Sequence, residues 1–248
     1  MEKTKKIVKF KKGFFQDWTE AILWAFVVAM LIRNYTFQNF KIPSGSMEQT
    51  LLVGDYLVAN KLKYLFNEPQ RGEIVTFRNP DDPKYPANCF PIIAPIYWRY
   101  EDIKQNNRIV EKGNRFIWYE KKNIVKRIIG MPGDTIYIRD KQIFINDELY
   151  ITGKEQFLDQ RLLPRELSDR RYSFQVEKKG SRDNLGPIEV PDGKYFVLGD
   201  NRDYSLDSRY WGFLDRKDIT GTPAVIFFSK GDGFLKNFRF NRMFNLIK

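Results

Sequence analysis

A chain of 248 residues with 42% hydrophobic and 16% aromatic residues can bury a sizeable core, which excludes disorder throughout. Its 42 Lys and Arg against 31 Asp and Glu leave a net charge of +11, which suits an anionic partner or serves solubility alone. One cysteine, Cys89, and no histidine exclude an internal disulfide, a thiolate metal cluster, a Ser-His-Asp triad, a Cys-His dyad and an HExxH zinc site, so a hydrolytic base would have to be Lys, Asp, Glu or Tyr.

Residues 1–16 are basic, with Lys3, Lys5, Lys6, Lys9, Lys11 and Lys12 against Glu2. The apolar run Ala21–Ile32 follows, twelve residues bounded by Glu20 and Arg33. A membrane span needs about 20 residues. Trp18–Phe37 reaches twenty by placing Glu20 and Arg33 near the ends, where long charged side chains can snorkel. Trp18 and Tyr35 suit the interface. Three readings compete. A cleavable signal peptide lacks its small-x-small site, since Arg33-Asn-Tyr-Thr-Phe-Gln-Asn-Phe40 comes next. A helix on a soluble core would show one apolar stripe, whereas the apolar residues here run all round. The best fit is an uncleaved transmembrane anchor over 17–37, with 1–16 in the cytoplasm and 38–248 outside.

Phe40-Lys-Ile-Pro-Ser-Gly-Ser-Met-Glu-Gln-Thr-Leu51 comes directly after it. Ser-Gly-Ser alone reads as an ordinary turn. Flanked by apolar residues near a membrane, it would hold a hydroxyl at the base of an apolar groove. Short strand-like runs then dominate: 72–77, 123–129, 134–138 and 142–145 as a hairpin around Arg139-Asp-Lys141, 194–198 and 224–228. With no βαβ alternation, the expected fold is mainly β, an antiparallel β-sheet catalytic body with one N-terminal transmembrane helix. Residues 79–122, with Pro80, Pro83, Pro86, Pro91 and Pro95, and the charge-rich 150–190 read as insertions or long loops in the 38–248 domain.

In a strand, Lys126 shares a face with Ile124 and Ile128, and Arg127 shares the other with Val125 and Ile129. A lysine in an apolar setting loses hydration and favours its neutral amine, which can act as a general base for serine. The alternative is a strand edge from which both cations reach solvent. Gly199-Asp-Asn-Arg-Asp-Tyr-Ser-Leu-Asp-Ser-Arg-Tyr-Trp-Gly212 lacks the spacing and closing glutamate of a calcium loop. Its alternating Asp and Arg read either as an internal ion-pair network or as a solvated charged loop. Residues 230–248 mix Lys230, Lys236, Arg239, Arg242 and Lys248 with large apolar groups. That mixture suits an anionic lipid surface, or aromatics packed on the body beside solvated cations.

Taken in order, these segments resemble the motifs of bacterial type I signal peptidases. The chain carries Pro43-Ser-Gly-Ser-Met47, Gly54-Asp55, Arg71-Gly-Glu-Ile-Val75, Lys126-Arg-Ile-Ile-Gly-Met-Pro-Gly-Asp134 and Gly199-Asp-Asn to Arg209. The resemblance covers most of 18–78, 124–147 and 190–229. It implies a serine endopeptidase that removes signal peptides from secretory preproteins with small-x-small cleavage sites, at the outer face of the bacterial cytoplasmic membrane. It implies Ser46 as nucleophile, Lys126 as general base and Ser44 in the oxyanion hole with the Ser46 amide. Ser205 would orient the lysine, and Asp207 and Arg209 would form a structural ion pair. Phe40, Ile42, Leu51 and Val125 would line the substrate pockets. Membrane lipid is an expected partner; no nucleic acid, metal or cofactor is expected. Gln49 stands where the family usually has Pro, Tyr204 where it has Asn, and Glu73 where it has Asp. A self-cleaving Ser–Lys repressor would need a DNA-binding module where the anchor lies. A membrane-tethered binding protein would leave the ordered motifs without a cause.

Overall fold

The computed structural model describes residues 13–78, 96–105, 108–118, 123–178, 180–231 and 237–247. Helix α1 (Phe14–Tyr35) leads into β1 (Phe37–Lys41), and a single 3-10 turn, Gly45–Met47, lies between it and β2 (Asp55–Asn60). Then come α2 (Lys63–Phe66), β3 (Ile74–Arg78), β4 (Ile96–Gln105), β5 (Arg108–Trp118), β6 (Asn123–Gly130), β7 (Thr135–Arg139), β8 (Gln142–Ile145) and β9 (Glu148–Tyr150). The chain continues through α3 (Ser173–Glu177), β10 (Leu185–Glu189), β11 (Lys194–Leu198), α4 (Ser208–Trp211), β12 (Leu214–Asp215), β13 (Ile219–Ser229) and β14 (Asn245–Leu246).

The main sheet runs β1-β2-β13-β3-β6-β11-β12, with β14 added along β13; a second runs β10-β7-β8-β9, and β4 pairs with β5. These strand pairs are all antiparallel, as the short alternating runs predict. The expected hairpin turns through Asp140 and Lys141, at φ 49° and 70°. Two successive left-handed residues match the twist of the flanking strands.

Strand β6 lies between β3 and β11, so it is no edge. Ile129 joins a buried cluster with Ile136, Ile143 and Phe196, which seats the second sheet on β6 and β11. Ile128 packs with Val75, Phe77 and Val197, and Val125 packs with Ile42, Met47 and Leu51. Both faces of β6 are therefore covered. The two cations at its centre cannot reach solvent as an edge strand would allow.

One expectation is modified. The predicted anchor is a helix in its predicted place, with apolar side chains from Phe14 to Val28 exposed around its surface. Among the described residues, however, no helix is long and apolar enough to cross a membrane. The polar positions Gln16, Asp17, Thr19 and Glu20 occupy its first turns, leaving a shorter apolar stretch than a span needs. Residues 150–190 are stitched to the loop after β11. Gln156 N donates to Asp200 O at 2.8 Å and Arg202 N to Gln156 O at 2.9 Å. The Asp203 carboxylate accepts from Leu158 N at 2.8 Å, Asp159 N at 2.7 Å and Lys141 Nζ at 2.8 Å. Within 79–122, β4 and β5 form a hairpin, while 79–95, 106–107 and 119–122, with their prolines, lie outside the described residues.

Candidate active site

The site begins where β1 ends. Ile42, Met47 and Leu51 are buried against Leu57, Val125 and Ile226, and these anchors leave Ser44 exposed and Ser46 half-buried between them. The 3-10 turn that carries Ser46 packs against β6. Ser44 Oγ and Ser46 Oγ stand 3.4 Å apart. Gln49 turns the chain with φ 85°, a left-handed conformation that the ring of a proline, held near −65°, could not adopt.

Lys126 is 2% exposed, and burial pushes its ammonium down to about 8. Asp207 and Asp200 attract the charge and oppose the shift, while Arg209 repels it and adds to the shift. The lysine is thus poised between charge states near neutrality. Among the described residues, Ser46 Oγ is hydrogen-bonded to Ser44 Oγ and no hydrogen bond joins it to Lys126.

The loop after β11 closes the arrangement. Asn201 N donates to the Ser46 carbonyl at 3.1 Å, and Asn201 Nδ2 donates to Gly45 O at 3.1 Å. Gly199 fits so tightly that a Cβ there would collide with both the Ser46 carbonyl and the Ser205 hydroxyl. That places Ser205 beside the Ser46 turn, with its hydroxyl buried and near enough to Asp207 to help lower that carboxyl. Arg209 Nε donates to Asp207 Oδ1 at 2.9 Å and Arg209 Nη2 to Asp207 Oδ2 at 2.9 Å, with both residues buried. Burial raises the Asp207 carboxyl most, but the Arg209 charge and hydrogen bonds together with the Lys126 charge outweigh it, so the group stays below its ordinary range. The alternating Asp and Arg thus form an internal network and not a solvated loop.

Residues 15–228 match the family described as signal peptidase, peptidase S26. The chain belongs to this family. Signal peptidase I of Bacillus licheniformis is 32% identical over 88% of this chain and 91% of its own. Signal peptidase I of Aquifex aeolicus is 32% identical over 84% of this chain and 82% of its own. A solved signal peptidase I from Enterococcus faecalis aligns with 63% of this chain and 97% of its own, at 24% identity and a TM-score of 0.35. As a signal peptidase of family S26, this chain is a serine endopeptidase, and the family's substrates are secretory preproteins.

The structure of this peptidase packs the Ser44–Ser46 turn against the strand that carries Lys126 and sets Ser205 beside that turn, on the loop that also carries Asp207 and Arg209. Of the four residues expected to line substrate pockets, Ile42, Leu51 and Val125 are buried in one cluster and Phe40 is half-buried at its edge. In this state they serve as core beneath the turn. Several residues escaped sequence reasoning. Arg127 faces away from Lys126 and pairs with Asp200, which also accepts from Thr50 Oγ1 at 2.6 Å. Arg71 Nη2 reaches Asp134 at 2.9 Å, joining two of the motifs. A signal for the first was present: a cation between Val125 and Ile129 on a covered strand requires a buried anion. Which anion it takes depends on the loop's path.

Proposed function

We propose that this peptidase cleaves signal peptides by acyl-enzyme catalysis with a Ser46–Lys126 dyad. The observation that carries the reading is a lysine buried among aliphatics, its ammonium pushed down to about 8, on the strand that supports the Ser46 turn. The chain has no histidine, and among the described residues Lys126 is the one fully buried lysine.

Ser46 Oγ attacks the scissile carbonyl while its proton passes to the neutral Lys126 Nζ. The oxyanion of the tetrahedral intermediate accepts hydrogen bonds from the Ser46 N–H and the Ser44 hydroxyl. Lys126 then returns its proton to the leaving amine, and a water activated by the same amine hydrolyses the ester. Ser205 orients Lys126, and Asp207–Arg209 fixes the loop that carries Ser205. Phe40, Ile42, Leu51 and Val125 line pockets for the small residues of a small-x-small site, opening when substrate displaces side chains at the turn.

Helix α1 holds the body at the outer face of the bacterial cytoplasmic membrane, with residues 1–16 in the cytoplasm and 38–248 outside. Its exposed apolar surface, costly in water, supports burial in lipid. The test is cleavage of a purified preprotein by the detergent-solubilised full chain. Ser46→Ala and Lys126→Ala should each abolish it while circular dichroism stays unchanged, and normal turnover by either would defeat the assignment. In cells, external protease should reach the body; a shielded body would reverse the orientation.

A further inference from the structure

Residues 239–247 lie beyond the stretch that matches the family, 15–228, yet they are built into the support of the candidate site. β14 pairs with β13, and Phe244 N donates to Ile226 O at 2.6 Å. From this strip Arg242 Nη2 donates to Asp55 Oδ2 at 2.7 Å and to the Thr50 carbonyl at 2.9 Å. Arg239 Nη2 lies 3.8 Å from Asp55 Oδ1 and also donates to the Val53 carbonyl. Asp55 is fully buried and accepts as well from Ser229 Oγ at 2.6 Å and Leu52 N at 2.8 Å. The tail's two arginines were expected at a lipid surface or in solvent; both instead face this carboxylate and the run from Thr50 to Asp55. Lys236 lies outside the described residues.

Thr50 is where this assembly meets the site. Its hydroxyl donates to Asp200 at 2.6 Å, and its amide donates to the Met47 carbonyl at 3.1 Å. It is therefore pinned by Asp200 on one side and by Arg242 on the other, one turn of chain after Ser46. We propose that Arg242 is a positioning residue for the nucleophile: the C-terminal strip clamps residues 50–55 and so sets where the Ser46 turn sits against Lys126. The inference rests on the reading of Ser46 as nucleophile. Two features favour positioning over simple packing. One carboxylate faces two arginines where one would neutralise it, and both arginines also hold backbone carbonyls of the loop. Gly54 meets the Lys230 carbonyl so closely that no Cβ fits, so loop and tail approach backbone to backbone. Without Arg242, Asp55 keeps Ser229, Leu52 and Arg239, while the Thr50 carbonyl loses its anchor.

The test uses the full chain in detergent with a preprotein substrate. Arg242→Gln should lower kcat about tenfold with KM within about twofold, at a temperature where the variant is folded, because small displacements of a reacting group are costly. Arg242→Lys, which keeps the charge and one donor, should recover part of the loss. Thr50→Val removes the opposite pin and should also lower kcat. The double variant Thr50→Val with Arg242→Gln should lose less than the product of the two single losses, since both pins hold one segment. An unchanged kcat with a lower melting temperature would make the tail an ordinary brace and overturn the proposal. Fully multiplicative losses in the double variant would overturn it as well. Cleavage by Ser46→Ala in the same assay would instead remove the reading on which it rests.

Discussion

The Arg127 guanidinium grips the Asp200 carboxylate at two points, Nε to Oδ1 and Nη2 to Oδ2, each 2.8 Å, with both residues buried. The pair ties the strand that carries Lys126 to a loop whose next residue, Asn201, holds the Ser46 carbonyl at 3.1 Å. Arg127 thus fixes the frame around the Ser46 turn from the strand that also carries the buried Lys126.

Arg127→Lys should show how much the fork matters. Lysine keeps the charge but cannot hold both carboxylate oxygens and the Gly72 carbonyl, which Arg127 Nη1 reaches at 2.7 Å. Leaving part of a buried carboxylate unpaired should destabilise the protein by about 2–4 kcal/mol. Urea unfolding measures it; an unmoved midpoint would mean that the ammonium satisfies the pocket as well.

Lys126 makes two linked predictions on pH. Activity should rise through pH about 8, where the buried ammonium loses its proton, and kcat/KM flat down to pH 5 would count against a lysine base. For stability, the folded value of about 8 lies below the ordinary 10.5, so the unfolded chain binds more protons between them. Stability therefore rises with pH across that window, and the full penalty of burying the charge persists below it. Lys126→Met, similar in length and uncharged, should be inactive yet more stable at pH 7, on the order of 3 kcal/mol. That gain should shrink toward pH 10. Calorimetry at both pH values decides, and a lower melting temperature for Lys126→Met at pH 7 would contradict a destabilised ammonium.

Ser44→Ala should lower kcat by roughly 10²–10³-fold and leave KM nearly unchanged, because an oxyanion donor acts mainly in the transition state. Ser44→Thr keeps the hydroxyl and should retain more activity. Steady-state kinetics separates the cases: a raised KM with normal kcat would make Ser44 a contact of the bound substrate.

Gly199→Ala adds one carbon where the Ser46 carbonyl and the Ser205 hydroxyl already meet the backbone. Accommodating it must move the turn or the loop. We expect at least about 1–3 kcal/mol of destabilisation, as for other overpacked sites, and a kcat lowered about 100-fold through the displaced Ser46. Wild-type kcat in this variant would show that the turn tolerates displacement.

Much of the fold was legible in the sequence because its determinants are local. Alternation at 123–129 and 134–145 places strands where β6, β7 and β8 lie, and Asp140-Lys141 occupies the turn between two of them. Ser44, Ser46 and Lys126 were legible as candidates by their motifs and by the absence of histidine. Other features belong to tertiary structure alone. Whether Lys126 is buried depends on β6 being central, and strand order is set by long-range pairing with β3 and β11 that no local pattern encodes. The partners of Arg127, Arg239 and Arg242 were equally hidden. A charge in sequence has many possible counterions, and burial selects one of them only when distant segments exclude water together. The chain's composition thus restricted a hydrolytic base to Lys, Asp, Glu or Tyr, the motifs singled out serine and lysine, and the packing of β6 beneath the Ser46 turn decided which lysine could lose its charge.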